Sequence, residues 1–163
     1  MRIEFDNAQH CLDLIRLNER WIRQYFALEQ ADHDLASDPQ RILREGGHLI
    51  SLVQDEAVVG VCALLNEGQG RFQLARMAVD PSHQGKGYGD ALIRAALERA
   101  AADGGKWVYL LSNTALQAAI GLYRKHGCET LQEGPHPRYA RCNIIMQRPL
   151  PGENAAAQEE GPW

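Results

Sequence analysis

Apolar positions recur with two different periods along the chain, and the periods alternate from segment to segment. Alternating apolar and polar residues predict strands, whereas apolar residues three or four positions apart predict helices. Strands are expected at 2–5, 48–54, 57–65, 72–79, 107–111, 128–132 and 139–147. Helices are expected at about 7–26, 39–44, 90–102 and 114–126. The acidic stretch 29–38 has no clear period and is expected to be an irregular loop.

The order of these elements predicts the fold class. Hairpins dominate the first half, and the second half alternates strand, helix, strand, helix and strand. The run Trp107–Leu111 is almost continuously apolar, which is typical of a buried parallel strand. A mixed α/β sheet flanked by helices follows from this order. We expect one domain over 1–148 and a disordered tail over 149–163, because the tail is polar and rich in Ala, Glu and Gln.

Composition excludes several classes of partner. The net charge of −4, without a long basic run, argues against nucleic acid. The cysteines at 11, 62, 128 and 142 have no metal-binding spacing, so no metal is expected, and Cys62 is expected to be a small core residue. No apolar run is long enough to span a membrane, and no secretory signal is found at the N-terminus. We therefore expect a cytoplasmic protein without a membrane partner.

The glycine-rich segment Gln84–Gly89 is the strongest chemical signal. It follows an expected strand and precedes an expected helix, whose N-terminus favours an anion such as phosphate. Alternate glycines remove Cβ atoms where a ligand must approach the backbone. The spacing excludes both the P-loop and the dinucleotide fingerprint and gives Gln-x-x-Gly-x-Gly instead. A glycine-rich surface turn is the alternative interpretation.

This six-residue pattern resembles the acetyl-CoA pyrophosphate loop of the GNAT superfamily of N-acetyltransferases. Residues 119–128 are similar to a second family segment, Ala-Ile-x-Leu-Tyr-x-Lys-x-Gly-Phe, with Cys128 in place of the Phe. Residues 139–146 are similar to the last strand of one subgroup. The resemblance covers about 1–148 and implies a GNAT-type, mostly antiparallel sheet of about six to seven strands, about four flanking helices and a splay at the central parallel pair.

The resemblance also implies how acetyl-CoA binds. Its pantetheine arm would contact the backbone of Met77, Ala78 and Val79, and the Met77 N–H would meet the thioester oxygen. Asn113 is a candidate for a further contact with the arm. The diphosphate would lie on a set of loop and helix residues, namely Gln84, Gly85, Lys86, Gly87, Tyr88, Gly89 and Asp90. Surface exposure is the alternative for Lys86, and packing is the alternative for Tyr88.

The resemblance to the GNAT superfamily also suggests catalytic groups. Tyr123 is the candidate general acid for the thiolate leaving group, with a structural tyrosine on an amphipathic helix as the alternative. The base that receives the amine proton is sought among acidic residues that are otherwise solvated surface carboxylates, namely Glu67, Glu29, Asp32 and Asp34, with Glu67 preferred. Arg76 is expected to face the acceptor or to enter a buried pair. Glu29, Asp32, Arg76 and Tyr139 are the expected acceptor-binding residues.

The sequence thus predicts an acetyl-CoA-dependent N-acetyltransferase in which a primary amine attacks the thioester directly in a ternary complex. The acceptor is expected to be a small-molecule or peptide amine, and a homodimer is usual for relatives. A non-catalytic acyl-CoA-binding module of the same fold is the alternative. It would retain the cofactor loop and lack the acid and the base.

Overall fold

A computed structural model describes residues 1–151 of the chain. Its elements, in chain order, are β1 (Arg2–Phe5), α1 (Cys11–Tyr25), α2 (Gln30–Ser37), α3 (Arg41–Arg44), β2 (His48–Gln54), β3 (Ala57–Asn66), β4 (Arg71–Val79), α4 (Tyr88–Ala102), β5 (Trp107–Ser112), α5 (Gln117–Lys125), β6 (Glu129–Glu133) and β7 (Ile144–Pro149). Short 3-10 turns precede α1 and follow β4.

The strands form one sheet in the order β1-β2-β3-β4-β5-β7-β6. Only β4 and β5 run parallel, and every other neighbouring pair is antiparallel. This confirms the expected mixed α/β architecture, with seven strands in the described part of the chain. The number of helices there is five rather than about four, because of the additional helix α2.

Each face of the sheet has its own core. Leu92 and Ile93 of α4 pack with Leu64 on one face. Leu14 and Leu17 of α1 pack with Val61 on the other face. Consecutive residues of a strand point to opposite faces, so β3 supplies both cores. Cys62 and Cys128 are buried in the α4 core, and Cys62 is the small core residue that the sequence predicts.

The sheet opens between β4 and β5. Three residues of β4 pair with β5: Arg71 with Trp107, Phe72 with Val108 and Gln73 with Tyr109. No later residue of β4 pairs with β5. Beyond this point β4 continues to Val79 and β5 to Ser112, while β5 stays paired with β7 along its whole length. The predicted splay at the central parallel pair is therefore present, and it leaves one edge of β4 without a strand partner.

The largest correction concerns α2, because the segment 29–38 was expected to be a loop. Gln30–Ser37 is helical, and a capping box joins Glu29 and Asp32 at its start. The Asp32 carboxylate accepts from the Glu29 N–H at 2.7 Å. Asp32 is also the buried residue of this helix. Polar capping and polar burial leave no apolar period, which is why the pattern missed the helix.

Several predicted boundaries were also wrong. α3 begins at Arg41 rather than 39, and α5 begins at Gln117 rather than 114. β7 begins at Ile144 rather than 139, and residues 139–143 form an irregular segment. Leu150, which belongs to the expected tail, is buried, and its N–H donates to the Lys106 carbonyl at 2.8 Å, whereas the domain boundary at 148 stays a prediction. The remainder of the expected tail, 152–163, lies outside the described residues.

Within residues 1–151, no helix has the length and apolar character needed to cross a membrane. The same residues contain no cluster of three or more His, Cys, Asp or Glu side chains suited to a metal ion. The expected cytoplasmic location and homodimer stay predictions.

Candidate active site

A bulge in β4 marks the opening of the sheet. Val61 pairs with Ala78 and Ala63 pairs with Ala75, which leaves Cys62 facing both Arg76 and Met77. Arg76 has a φ of +56°, a left-handed conformation that a side chain normally disfavours. The extra residue shifts the alternation, so Met77 and Val79 pack toward the α4 core whereas Ala78 is buried in the α1 core.

A buried side chain of α1 supports this bulge. The Asn18 amide donates to the Arg76 carbonyl at 2.8 Å and to the Leu14 carbonyl at 2.9 Å. Asn18 is only 4% exposed. Asn18 is not among the site residues predicted from the sequence. It could have been recognised as a polar residue on the buried face of α1, four positions from both Leu14 and Ile22.

The glycine-rich loop lies at the start of α4, directly after β4. Gly85 and Gly87 have a φ of +80°, and a Cβ at either position would meet no atom within 4 Å. None of the amide N–H groups of residues 87–90 donates a hydrogen bond to another described residue. These free donors and the open space above the glycines fit a diphosphate at the positive end of a helix.

The side chains around the loop have separate contacts. The Gln84 amide donates to the Val79 carbonyl at 3.4 Å, and the Tyr88 hydroxyl donates to Gln54. Asp90 accepts from His126 at 2.8 Å and from Lys125 at 3.0 Å. Those two contacts lower the pKa of Asp90.

Tyr88, Lys86 and Gly89 of the loop have different surroundings. Tyr88 also stacks on His83, with ring centroids 6.2 Å apart, so its side chain packs as the alternative interpretation proposed. Lys86 is exposed and forms no ion pair with a described residue. A Cβ on Gly89 would lie 3.0 Å from Leu122 Cδ2, so the start of α4 approaches α5 closely.

Tyr123 lies on α5, half-buried against the α4 core. Its hydroxyl has no hydrogen-bond partner within residues 1–151. Burial raises the pKa of Tyr123 above its usual value, with smaller contributions from the Cys128 and Cys62 thiols. Tyr123 packs against the same core as Met77 and Val79 of β4, so the three side chains lie on one face of the sheet. The phenol stays protonated at neutral pH and is free to donate.

Asn113 follows β5 and connects two neighbouring segments. Its carbonyl oxygen accepts from the Ala115 N–H at 2.9 Å, and its NH₂ group donates to the Arg141 carbonyl at 3.1 Å. The turn that it forms delays the start of α5. Both groups are thus engaged within the protein, so Asn113 orders the 139–143 segment.

Four charged side chains meet on the α1 side of the opening. The Asp32 carboxylate accepts from Arg141 at 2.7 Å through each of two nitrogens and also from Arg76. Arg141 also donates to Glu29 at 3.0 Å. Burial would raise the pKa of Asp32, but the hydrogen bonds from Arg141, the Glu29 N–H and Arg76 lower it far below its usual value. Arg76 thus enters a buried pair, one of the two alternatives for this residue.

The remaining candidates are more scattered. The Tyr109 hydroxyl donates to Glu67 at 2.5 Å and lies 3.2 Å from the Gln73 side-chain oxygen. Burial and the Glu67 carboxylate raise the pKa of Tyr109. The Tyr139 ring packs on His136 with centroids 5.1 Å apart. Asp34 is exposed on α2 and accepts from Gln30 at 2.8 Å.

Glu67 contacts Tyr109, the β5 residue that pairs with Gln73, so it lies at the paired end of β4 and β5, on the N-terminal side of the bulge. Arg141, Asn18 and Tyr109 are the site residues that the sequence analysis missed. Arg141 stood in a segment expected to be strand, and Tyr109 stood in an apolar run, so neither offered a local signal.

The fold has clear counterparts among known proteins. The family model described as the acetyltransferase (GNAT) family matches residues 14–128. A Bacillus subtilis (strain 168) relative, the uncharacterized N-acetyltransferase YjcF, is 28% identical over 113 residues, which cover 69% of this chain and 77% of that protein.

Solved structures agree with this match. A GNAT acetyltransferase from Staphylococcus aureus Mu50 superposes with a TM-score of 0.80 at 17% identity, over 92% of this chain and 100% of that one. A phosphinothricin acetyltransferase from Sinorhizobium meliloti, solved in complex with AcCoA, gives a TM-score of 0.76 at 19% identity, over 95% of this chain and 90% of that one.

The chain therefore belongs to the GNAT family of acetyltransferases, as the glycine-rich loop and the Tyr123 segment predicted. It is an enzyme of the acyltransferase class.

Proposed function

We propose that this protein transfers an acetyl group from acetyl-CoA to a primary amine by direct attack in a ternary complex. The proposal rests chiefly on one juxtaposition: β4 with its bulge leads into the loop whose 87–90 amides are free, and the Tyr123 phenol packs against the same core as Met77 and Val79 of β4. A neighbour of the same fold was solved in complex with AcCoA, which supports the choice of donor.

The chain would hold acetyl-CoA mainly through its backbone. The amides of Gly87, Tyr88, Gly89 and Asp90 point at the diphosphate, as in other helix N-terminal anion sites. Gln84, Gly85 and Lys86 complete the loop, with Lys86 adding a positive charge. The pantetheine arm lies along the free edge of β4 at Met77, Ala78 and Val79, as an added strand would.

The chemical step forms a C–N bond and breaks the C–S bond. The amine nitrogen attacks the thioester carbonyl, and the Met77 N–H stabilises the oxygen as it gains negative charge, an effect of about a hundred- to a thousandfold. Tyr123 then donates its proton to the departing thiolate, and such general acid help is worth about a hundred- to ten-thousandfold. The raised pKa of Tyr123 keeps that proton available.

The amine must also lose a proton. Glu67 and Asp34 are the acidic candidates that form no ion pair with an arginine among the described residues, and of the two only Glu67 contacts the sheet, through Tyr109 of β5. We assign it the role of proton acceptor through water and the Tyr109 hydroxyl. Glu29, Asp32, Arg76 and Tyr139 shape the acceptor side, where the Arg141 and Arg76 contacts leave Asp32 unsuited to take a proton.

A thiol-release assay tests the proposal. Acetyl-CoA is incubated with the protein and with polyamines, amino acids, aminoglycosides or peptides that have a free N-terminus. Release with at least one amine should exceed hydrolysis by tenfold or more, with the acetylated amine identified by mass spectrometry. Calorimetric binding of acetyl-CoA without turnover of any amine would instead favour the non-catalytic acyl-CoA-binding module.

A further inference from the structure

We propose that Asp32 is a positioning residue of this enzyme, which couples the acceptor-side segments to the β4 bulge and so fixes the Met77 amide. The inference rests on the proposed function for its catalytic part. Its structural part stands on the contacts of Asp32 alone.

The first observation is how completely Asp32 is engaged. Its side chain is 2% exposed, and its two oxygens meet Arg141 at 2.7 Å each. Oδ1 also accepts from Arg76, and Oδ2 from the Glu29 N–H at 2.7 Å. A paired arginine fork of this kind fixes the direction of a carboxylate as well as its charge.

The second observation is that the two arginines belong to different parts of the chain. Arg76 is the left-handed residue of the bulge and directly precedes Met77. Arg141 lies in the 139–143 segment, which is also held by the Ala140 N–H bonding to Glu29 at 2.9 Å and by Asn113. Asp32 therefore connects α2, the bulge and the 139–143 segment at one point.

The connection at Asp32 depends on charge balance. The positive charges of Arg76 and Arg141 are balanced by Asp32 and Glu29. All four side chains are largely buried, with exposed fractions of 18% for each arginine, 2% for Asp32 and 22% for Glu29. Loss of the Asp32 charge would leave two largely buried cations close together, and the remaining carboxylate, that of Glu29, pairs with Arg141 alone among them. Such cations repel and seek water. The bulge and the 139–143 segment should therefore both loosen.

The effect should be confined to one side of the site. No hydrogen bond or ion pair joins the four residues to the loop 84–90 within the described chain. The amides that face the diphosphate are therefore independent of Asp32. A change at Asp32 should alter the chemical step much more than the affinity for acetyl-CoA.

Hydrogen–deuterium exchange of Asp32→Asn tests the structural part without any knowledge of the acceptor. We expect at least tenfold faster exchange in both 74–79 and 139–143, unchanged exchange in the hydrogen-bonded interior of α4 (92–100), and a calorimetric Kd for acetyl-CoA within about threefold of wild type. Glu45→Gln removes an exposed pair with Arg41 at 2.8 Å and serves as the control, with no change in any of the three segments.

Two further variants each remove one of the two arginines that contact Asp32, and they remain informative if Asp32→Asn does not fold. Arg76→Gln keeps the Asp32–Arg141 pair, so faster exchange should be confined to 74–79. Arg141→Gln keeps the Asp32–Arg76 pair, so faster exchange should be confined to 139–143 and α2. Equal acceleration of all segments, the interior of α4 (92–100) included, would indicate general destabilisation and overturn the proposal.

The catalytic part is measured with the most active amine of the thiol-release panel. Asp32→Asn should lower kcat per folded molecule at least tenfold, and Asp32→Glu, which keeps the charge, should recover at least threefold of that loss. A folded Asp32→Asn protein with wild-type kcat overturns the coupling. Absence of turnover in the wild type would count against the proposed function, while the exchange result would still decide the role of Asp32.

Discussion

The side-chain amide of Asn18 donates to the backbone carbonyl of Arg76 at 2.8 Å, from the middle of α1 to the bulge of β4. A hydrogen bond between a helix and a strand irregularity is specific, because a carbonyl released from the regular ladder needs another donor when it is buried. Asn18 supplies that donor, and so α1 helps to set the position of Met77.

Truncation of Asn18 should therefore destabilise the protein. Asn18→Ala leaves the Arg76 carbonyl without its donor, which costs about 1–3 kcal/mol of unfolding free energy. Urea denaturation followed by circular dichroism measures this difference. The matched control is Gln24→Ala, because Gln24 lies on the exposed face of the same helix and its side-chain amide is 3.4 Å from the Tyr25 hydroxyl. We expect a loss within about 0.5 kcal/mol there, and equal losses at the two positions would contradict the role of Asn18.

The glycine loop allows a second matched comparison. Gly87 and Gly104 have φ values of +80° and +78°, and neither would place a Cβ within 4 Å of another atom. Alanine at either position should carry a similar backbone strain, of about 1–2 kcal/mol. Only Gly87→Ala should weaken acetyl-CoA binding, by about tenfold or more in calorimetry, because its Cβ would enter the diphosphate site. Equal affinities of the two variants would place the diphosphate elsewhere.

Tyr123→Phe tests the general acid. Removal of the hydroxyl should lower kcat at least tenfold while the calorimetric Kd for acetyl-CoA changes less than about twofold, since phenylalanine keeps the ring that packs against the α4 core. The raised pKa of Tyr123 means that no loss of activity due to its ionisation should occur below about pH 10. Tyr25→Phe, an exposed tyrosine on α1, is the control. An unchanged rate for Tyr123→Phe would remove Tyr123 from the mechanism.

His48 gives the protein a pH-dependent contribution to stability. Its Nδ1 lies 2.8 Å from Asp6, and its Nε2 lies 2.5 Å from Asp103 at the end of α4. Burial lowers the pKa of His48, but the hydrogen bonds that its ring donates to the Asp103 and Asp6 carboxylates outweigh burial, and the pKa is raised. The protonated form is thus favoured in the folded state. This contribution is complete below about pH 6.5 and is lost as the pH rises through the folded-state pKa.

Urea denaturation of His48→Gln at about pH 6 and pH 9 measures this effect. The variant should lose more unfolding free energy relative to wild type at the lower pH, because the charged histidine is then present. His33→Gln, on the exposed side of α2, should show the same small difference at both values. A penalty for His48→Gln that grows toward high pH would refute the charged bridge.

The sequence by itself determined the features that depend on local chain geometry. The glycines of 84–89, the helix that follows them and the period of the strands are encoded in neighbouring residues, so the glycine-rich turn before α4, the mixed sheet and the helix that carries Tyr123 were all predictable. Cys62 was identified as a core residue for the same reason, because its strand is continuously apolar.

Only the tertiary structure decided how the acceptor side is held together. Asp32 and Arg141 are 109 positions apart, and Asn18 and Arg76 are 58 positions apart. Such pairs form only when the strand register and the β4 bulge are in place. Neither feature can be predicted from the local period of apolar residues. The helix α2 was missed because it is held by a capping box and buried ion pairs, so its energy comes from contacts that an apolar pattern does not contain.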